Sequence, residues 1–475
     1  MIDDTFKELG DMPPEEFREA AHRVAEITAD YLENLESYSV LPDIEPGSVR
    51  SALPATAPER GEPLDDILAD YQEMIVPKIT HWQHPGFLAY FSSVACGPGI
   101  LGEWLAGGLN SNVMFWQNAP SSTELEETVV SWLRQMLGLP EAFDGMFTDT
   151  ASISTLNSLV AARHADEDLA ARQRGIAGRP ETGRLRIYTS AESHSSIEKA
   201  AIVIGVGREG VRKIEVDEAF RMKPDALVRA IREDRGRGWR PIAVVATLGT
   251  TSTTSLDPVD AIATVCEQEG LWLHVDAAYG GAAGLVPEWR SRLVGWERAD
   301  SIVVNAHKWM FAPFDASLLL FRRPAVFRDA FSLVAEYMKT PDTGDTHNFN
   351  EYGVQLGRRF RALKLWIMIR YFGREGFAAR LREHRRLALA FAEWIDAAPC
   401  WTRVAPVPLA CVCFRFDGSD EKNAEILEYV NRSGGIYLSS TRLRGEYVLR
   451  MQVGNPRTKL DHVRRCWKVL QEAVQ

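Results

Sequence analysis

Between about residue 140 and residue 325 the chain alternates short apolar runs with helical stretches: "RLRIYTS", "VRKIEV", "PIAVVATLGT", "LWLHVDAAY", "SIVVNAHK" and "SLLLFRR". That alternation specifies an α/β fold with a mostly parallel sheet. The last two runs are separated only by "WMFAPFDA", too short for a helical crossover, and are expected to pair as antiparallel neighbours. Lys308, which follows "SIVVNAH", then stands at the mouth of a hairpin, on the sheet edge where strand ends present loops.

The flanking segments read as helices and a second, smaller unit. A helix is expected from about Asp11, with Pro13 and Pro14 in its first turn, Glu15 and Glu16 at its positive end, and Phe17, Val24, Ile27, Thr28, Tyr31 and Leu35 at helical spacing. Pro42 and "EPGS" stop it, and a Pro-rich connector leads to a short helix near "LDDILADYQEMIVPKI". Small helices this early in a chain need another surface to bury them. In "SSTELEETVVSWLRQMLGLP" Thr123 and Glu126 form a capping-box pattern, Gly138 and Pro140 end the helix, and Leu125, Val129, Trp132, Leu133 and Met136 mark its buried face. Beyond "LGRRFRALKLW" the chain reads as helical to about Ala398. "CVCFRF", "GGIYLSS" and "YVLRMQV" then read as strands of a small α+β unit closed by "TKLDHVRRCWKVLQEAV".

Composition narrows the partners. The 475 residues are 45% hydrophobic and 25% charged, an ordinary globular balance with room for two or three domains. The net charge of -11 disfavours nucleic acid and anionic membrane as general partners, so the basic run "RRFRALK" must have a local reason. With no long apolar run, an acidic N-terminus and six scattered cysteines read as reduced thiols, the expectation is a cytoplasmic protein. Cys411 and Cys413 alternate along one strand and should be neighbours on one of its faces. No metal site is expected.

The chemistry gathers around Lys308. An ammonium closing an apolar strand in an α/β sheet stands where such folds bind ligands, and partial desolvation can make it a Schiff-base amine. Pyridoxal phosphate, the common partner of such a lysine, needs a carboxylate on its ring nitrogen, donors for its phosphate and a flat partner for its ring. Asp276, ending "LWLHVD", is the candidate carboxylate. Thr150, Ala151, Ser152 and Ser154 open an apolar-periodic helix and could bind the phosphate with Asn305. His194, after "RLRIYTS", could stack on the ring.

"HVDAAYGG", "NAHKW", "AESHSS", "TLGTTSTTSLDP" and "LGRRFRALKLW" resemble the aromatic L-amino acid decarboxylases of the group II pyridoxal-phosphate decarboxylase family, in motif order and over essentially the whole chain. The resemblance implies fold type I: an N-terminal helical segment packing on the partner subunit (1–85), a large cofactor-binding α/β domain with a seven-stranded sheet (86–360) and a small C-terminal α+β domain (361–475). It implies a homodimer with shared active sites; the net charge leaves no nucleic-acid or membrane partner expected. It makes Lys308 the Schiff-base lysine, Asp276 the partner of the pyridine nitrogen, and His194 and Ala278 the residues on the two ring faces. Ala151, Ser152 and Asn305 would hold the phosphate, with Thr251 near the ring hydroxyl and His307 beside the lysine.

The reaction implied is decarboxylation of an aromatic L-amino acid (tryptophan, dopa, 5-hydroxytryptophan, tyrosine or phenylalanine) through an external aldimine and a quinonoid. Tyr337, in the loop at 331–353, would protonate Cα, with His194 assisting. Trp82, Tyr90, Phe91 and Ser93 match the family's pocket wall and carboxylate-binding region. Asn112 and Met114, in the segment that would face the neighbouring subunit's site, and Gly357 would also contact the substrate. The chain departs from its relatives in "YFSS", where many read "YFPT" or "YFPS", and in carrying Asn112 and Met114 where they carry an apolar residue and a phenylalanine. Gly357 leaves room for an indole or a catechol. The alternatives are an oxygen-consuming aldehyde synthase on the same scaffold, against which Tyr337 argues, and a non-catalytic dimer, against which Lys308 and Asp276 argue. Glutamate decarboxylation would want a cationic group in the pocket.

Overall fold

The computed structural model describes residues 11–333 and 347–474. Seven strands form the central sheet: β1 (Asp144–Thr148), β2 (Arg184–Ser190), β3 (Val211–Ile214), β4 (Trp239–Thr247), β5 (Trp272–Asp276), β6 (Ser301–Asn305) and β7 (Ser317–Phe321). Their order is β1-β7-β6-β5-β4-β2-β3. The pairs β3/β2, β2/β4, β4/β5 and β5/β6 are parallel, and β7 runs antiparallel to both β6 and β1. The hairpin expected around Lys308 is present. β1, which the apolar runs did not disclose, adds the seventh strand and points the same way as β6.

A second sheet of four strands comprises β8 (Trp401–Arg403), β9 (Cys411–Phe416), β10 (Ser439–Leu443) and β11 (Glu446–Gln452), in the order β10-β11-β9-β8. Here "GGIYLSS" needs correction: only its final serines belong to a strand, and Tyr437 makes an isolated bridge to Phe87 instead. Gly434 takes a φ of +78°, so the chain turns before it can pair. A single large core spans both sheets and their helices, while Phe220, Cys411, Cys413 and Val448 belong to a smaller cluster beside it.

The helix Pro120–Leu137 corrects the capping-box expectation. It starts three residues earlier than Thr123, with Pro120 in its first turn, and Thr123 and Glu126 are buried inside it. Glu126 serves another partner: it pairs with Arg358 and accepts the Phe147 N–H at 2.9 Å. Its C-terminus is as expected, Gly138 adopting a left-handed φ of +81° that a side chain would strain.

The basic run "RRFRALK" also finds its reason. Arg358 pairs with Glu126, Arg359 with Glu103, Arg361 with Asp315 and Lys364 with Glu103. These pairs tie the start of the helix Arg361–Ala397 to the helix Gly97–Leu109 and to the β6–β7 hairpin that carries Lys308. The first helix, Pro14–Glu33, buries only Ala20 and leaves Phe17 and Val24 exposed. All six cysteines are free, five buried and Cys400 exposed. Among the described residues no helix is long and apolar enough to cross a membrane, and none of their acidic, histidine or cysteine side chains cluster as a metal site.

Candidate active site

The parallel strands and β1 all end at one edge, and the loops leaving that edge enclose a cavity of about 310 Å³, within the ordinary range for small-molecule sites. β1 delivers Thr150, Ala151 and Ser152; β2 delivers His194 and Ser196; β4 delivers Thr247, Gly249 and Thr251; β5 delivers Asp276, Ala278 and Tyr279; β6 delivers Asn305, His307 and Lys308. Tyr90 and Phe91 close one wall, and Arg450, from β11 of the small sheet, closes another. A larger cleft of about 770 Å³ lies at the opposite ends of β4 to β6. Its Arg235, Arg240, Arg298 and Arg323 are already paired with acidic neighbours.

Lys308 lies three residues beyond β6. Burial lowers its pKa, the Asp276 carboxylate opposes that shift and Arg450 adds to it. A larger neutral-amine fraction is what a nucleophilic lysine requires. Its Nζ lies 5.3 Å from the centroid of the Phe91 ring, and the Arg450 guanidinium carbon lies 4.8 Å from the same ring. Asp276, 6% exposed, accepts the Ala278 N–H at 3.1 Å through Oδ1, which fixes the carboxylate and Ala278 together.

His194 stands at the mouth, its Nδ1 bound to the Ser196 hydroxyl and backbone N–H at 2.9 and 3.1 Å. Although the ring meets solvent, desolvation by the surrounding protein lowers its pKa, Asp276 opposes this and Lys308 reinforces it. His307 is held neutral: burial, reinforced by Lys308, brings its pKa down to about 3. Its Nδ1 accepts the Ala316 N–H at 2.9 Å, which pins the ring to the hairpin.

The donor set fits pyridoxal phosphate. At the start of the helix Ala151–Ala165 the Ile153 N–H already donates to the Thr150 carbonyl at 3.1 Å, which leaves the N–H groups of Ala151 and Ser152 to favour an anion, and Ser152 is exposed there to the cavity. Two buried polar atoms lining the cavity, Asn305 Oδ1 and Thr247 Oγ1, have no partner among the described residues, which marks places where a ligand completes the hydrogen bonding. One expectation fails: Ser154 is turned into the core, bound to Thr148 and Ser317 hydroxyls at 2.7 and 3.1 Å, and is spent before any phosphate arrives.

The remaining expected residues fall outside this cavity. Trp82 stacks on Phe87 and Tyr90 at 4.4 and 5.9 Å and supports the wall from behind. Ser93 is half-buried beyond the turn. Asn112 and Gly357 sit on the exposed surface, Asn112 Oδ1 accepting the Arg358 N–H at 2.9 Å, and Met114 lies beside them. Tyr337 lies outside the described residues.

Residues 46–417 match the family model described as the pyridoxal-dependent decarboxylase conserved domain. The chain belongs to that family. It is 36% identical to an aromatic-L-amino-acid decarboxylase of Catharanthus roseus, over 98% of this chain and 95% of that one. It is equally 36% identical to a phenylacetaldehyde synthase of Arabidopsis thaliana, over 98% of this chain and 97% of that protein. Among solved structures, Catharanthus roseus tryptophan decarboxylase in complex with L-tryptophan superposes with a TM-score of 0.91 at 36% identity, covering 98% of this chain and 99% of that one. The decarboxylase fold is therefore fold type I, and its cofactor is pyridoxal phosphate.

Sequence reasoning does not find Arg450 or Tyr279. Arg450 is an arginine inside the strand "YVLRMQV", 4% exposed, and a charged residue in so apolar a run is itself a signal of a special partner. Tyr279 lies within "HVDAAYGG", where local pattern alone gives it no task.

Proposed function

We propose that this decarboxylase removes carbon dioxide from an aromatic L-amino acid to give the amine. The observation that carries the reading is the placement of Lys308 and Asp276, at the ends of adjacent strands, in a cavity walled by Tyr90 and Phe91. When bound, pyridoxal phosphate supplies a carbonyl that condenses with amines and a protonated ring that accepts the electron pair left by carbon dioxide.

This chain's residues divide the remaining work. Lys308 supplies the desolvated amine that would hold the cofactor. Asp276 keeps the ring nitrogen protonated. His194 and Ala278 would hold the cofactor ring between them, and Thr251 and His307 line the cavity beside them. Ala151, Ser152 and Asn305 bind the phosphate.

The Arg450 guanidinium, already held by the Ser252 and Tyr90 carbonyls at 2.8 and 3.0 Å, offers positive charge to the substrate carboxylate. Every amino acid carries that group, so this arginine does not itself argue for an acidic substrate. The apolar and aromatic wall favours a substrate ring. Tyr337 delivers the proton to substrate Cα, and that choice separates the amine-forming reading from aldehyde formation.

The active unit is a homodimer. Supporting this, Leu101, Leu105 and Leu109 on one helix and Val354 and Leu356 on the adjoining loop are all about half or more exposed, and Asn112 and Gly357 lie among them. A second copy would bury this apolar surface and receive Asn112, Met114 and Gly357 at its own site. The division into 1–85, 86–360 and 361–475 follows the same arrangement, and six free thiols suit the cytosol. Trp82 and Ser93 complete the wall and its approach.

The test is to present the cofactor-loaded protein with tryptophan, dopa, 5-hydroxytryptophan, tyrosine, phenylalanine and glutamate. Release of an aromatic amine with the highest kcat/KM supports the reading; a preference for glutamate contradicts it. Tyr337→Phe should retain cofactor and divert product from amine toward aldehyde, and an unchanged amine yield would remove Tyr337 as proton donor.

A further inference from the structure

Ser92 lies behind the cavity wall, 2% exposed, immediately after Phe91. Its backbone N–H and its hydroxyl both donate to Oε1 of Gln452, at 3.3 and 3.2 Å. Gln452 is fully buried, and its Nε2 donates to the Tyr279 hydroxyl at 3.0 Å and to the Val453 carbonyl at 2.9 Å. A primary amide has two acceptor sites and two donor hydrogens, and all of them are used. The orientation of the amide is fixed as well, because the Ser92 N–H can only donate and the Val453 carbonyl can only accept.

The partners of Gln452 meet again at the cavity. The Tyr279 ring lies parallel to Phe91, with centroids 4.0 Å apart and planes 8° apart, and its other face stacks on Trp309 at 4.9 Å. One side chain therefore registers both the backbone that carries Phe91 and the ring on which Phe91 rests. The turn needs such a hold: Tyr90 adopts a φ of +48°, a left-handed conformation that is costly for a residue with a side chain. Arg450 and Ser439 grip Tyr90 on one side, and Ser92 grips the turn on the other. There is no slack around the clamp, since a Cβ placed on Gly454 would approach the Gln452 amide to 2.8 Å and the Ser92 Cβ to 3.2 Å.

We propose that Ser92 is a positioning residue for substrate selection: through Gln452 it sets the pitch of the stacked Phe91 and Tyr279 rings, and with it the width of the slot that admits the substrate ring. This rests on the aromatic-substrate reading above. Ser92 touches neither cofactor nor substrate; it acts through Phe91. A residue without an N–H or hydroxyl here would leave Gln452 Oε1 buried and unpaired, and the amide would rotate away from Tyr279.

The experiment compares kcat and KM for tryptophan and for tyrosine in the cofactor-loaded wild type, Ser92→Ala, Ser92→Thr, Ser92→Pro and Gln452→Leu, with a melting temperature for each. Ser92→Pro, which removes both donors, and Gln452→Leu should each change the ratio of the two kcat/KM values by about tenfold, chiefly through KM. Ser92→Ala should move it less and in the same direction, and Ser92→Thr, which keeps both donors, should restore it. If Ser92→Pro fails to fold, Ser92→Ala and Gln452→Leu decide the matter. An unchanged ratio in both, or an equal fall in kcat for the two substrates tracking the melting temperature, overturns the inference while leaving the function intact. A wild type that decarboxylates no aromatic amino acid overturns the function and this inference together.

Discussion

The Glu126 carboxylate and the Arg358 guanidinium form an ion pair with neither side chain exposed to solvent. The pair joins the helix Pro120–Leu137 to the loop that precedes the helix Arg361–Ala397, and it brackets β1: Glu126 accepts the Phe147 N–H, and Arg358 donates to the Phe147 carbonyl at 2.7 Å. β1 ends at Thr148 and leads directly to Ala151 and Ser152. The turn proposed to bind the phosphate is thus anchored by a pair of charges that do not line the cavity.

Glu126→Gln should destabilise the protein by about 3–5 kcal/mol, because it leaves the Arg358 charge buried without its counter-charge. Asp225→Asn, which breaks the exposed pair with Arg229, should leave stability nearly unchanged, because solvent screens that pair. Urea unfolding of both variants checks the contrast. Equal, small losses would mean that the buried charge finds another partner.

Lys308→Ala should remove the visible absorbance of the lysine-linked cofactor and lower kcat at least about a thousandfold, the scale expected when a covalent nucleophile is lost. Borohydride reduction followed by peptide mapping reports the attachment site directly. Cofactor reduced onto any other lysine would refute the assignment.

Acid should destabilise the fold well above the carboxylate range. Burial holds His84, His274 and His384 down to about 4 and His307 to about 3, whereas an unfolded histidine titrates near 6.5. Between these values the unfolded chain binds the extra protons, so stability falls as pH falls from about 6.5 toward 3, each histidine adding a slope of about 1.4 kcal/mol per pH unit. Urea midpoints measured from pH 7 to pH 5 should decline steadily, and a flat profile would contradict the neutral burial of these rings.

His347 has the opposite sign. Its imidazole is clasped by Asp144 and Glu127 at 2.9 and 2.8 Å, and these bonds raise its pKa to about 10. The stabilisation is full below about pH 6.5 and is lost as pH rises toward 10. His347→Gln should therefore cost about 1–3 kcal/mol at pH 6, and the gap to the wild type should close by pH 10. A pH-independent difference would mean that the two contacts are not charge-assisted.

The parts of this site that sequence discloses are those fixed by local pattern. A lysine that closes an apolar strand, a carboxylate that ends the next one and a histidine after a third were legible because parallel strands put their C-terminal ends on one edge whatever their order. Glu126 shows the limit: its spacing from Thr123 reads as a cap, but a partner 232 residues away in the chain claims it. Ser154 fails for a similar reason, since the face a helical serine presents depends on what packs there, and here that is Ser317. Arg450 and Gln452 reach the site from a different sheet, a relationship no local pattern encodes.

The stoichiometry of the reaction tests amine formation most directly. The purified, cofactor-loaded enzyme would be given its best aromatic amino acid, with amine, carbon dioxide, aldehyde, ammonia and peroxide measured together. Amine and carbon dioxide in equal amounts, without oxygen uptake, is the result predicted. Aldehyde accompanied by ammonia and peroxide, at the expense of oxygen, would contradict it and make the chain an aldehyde synthase.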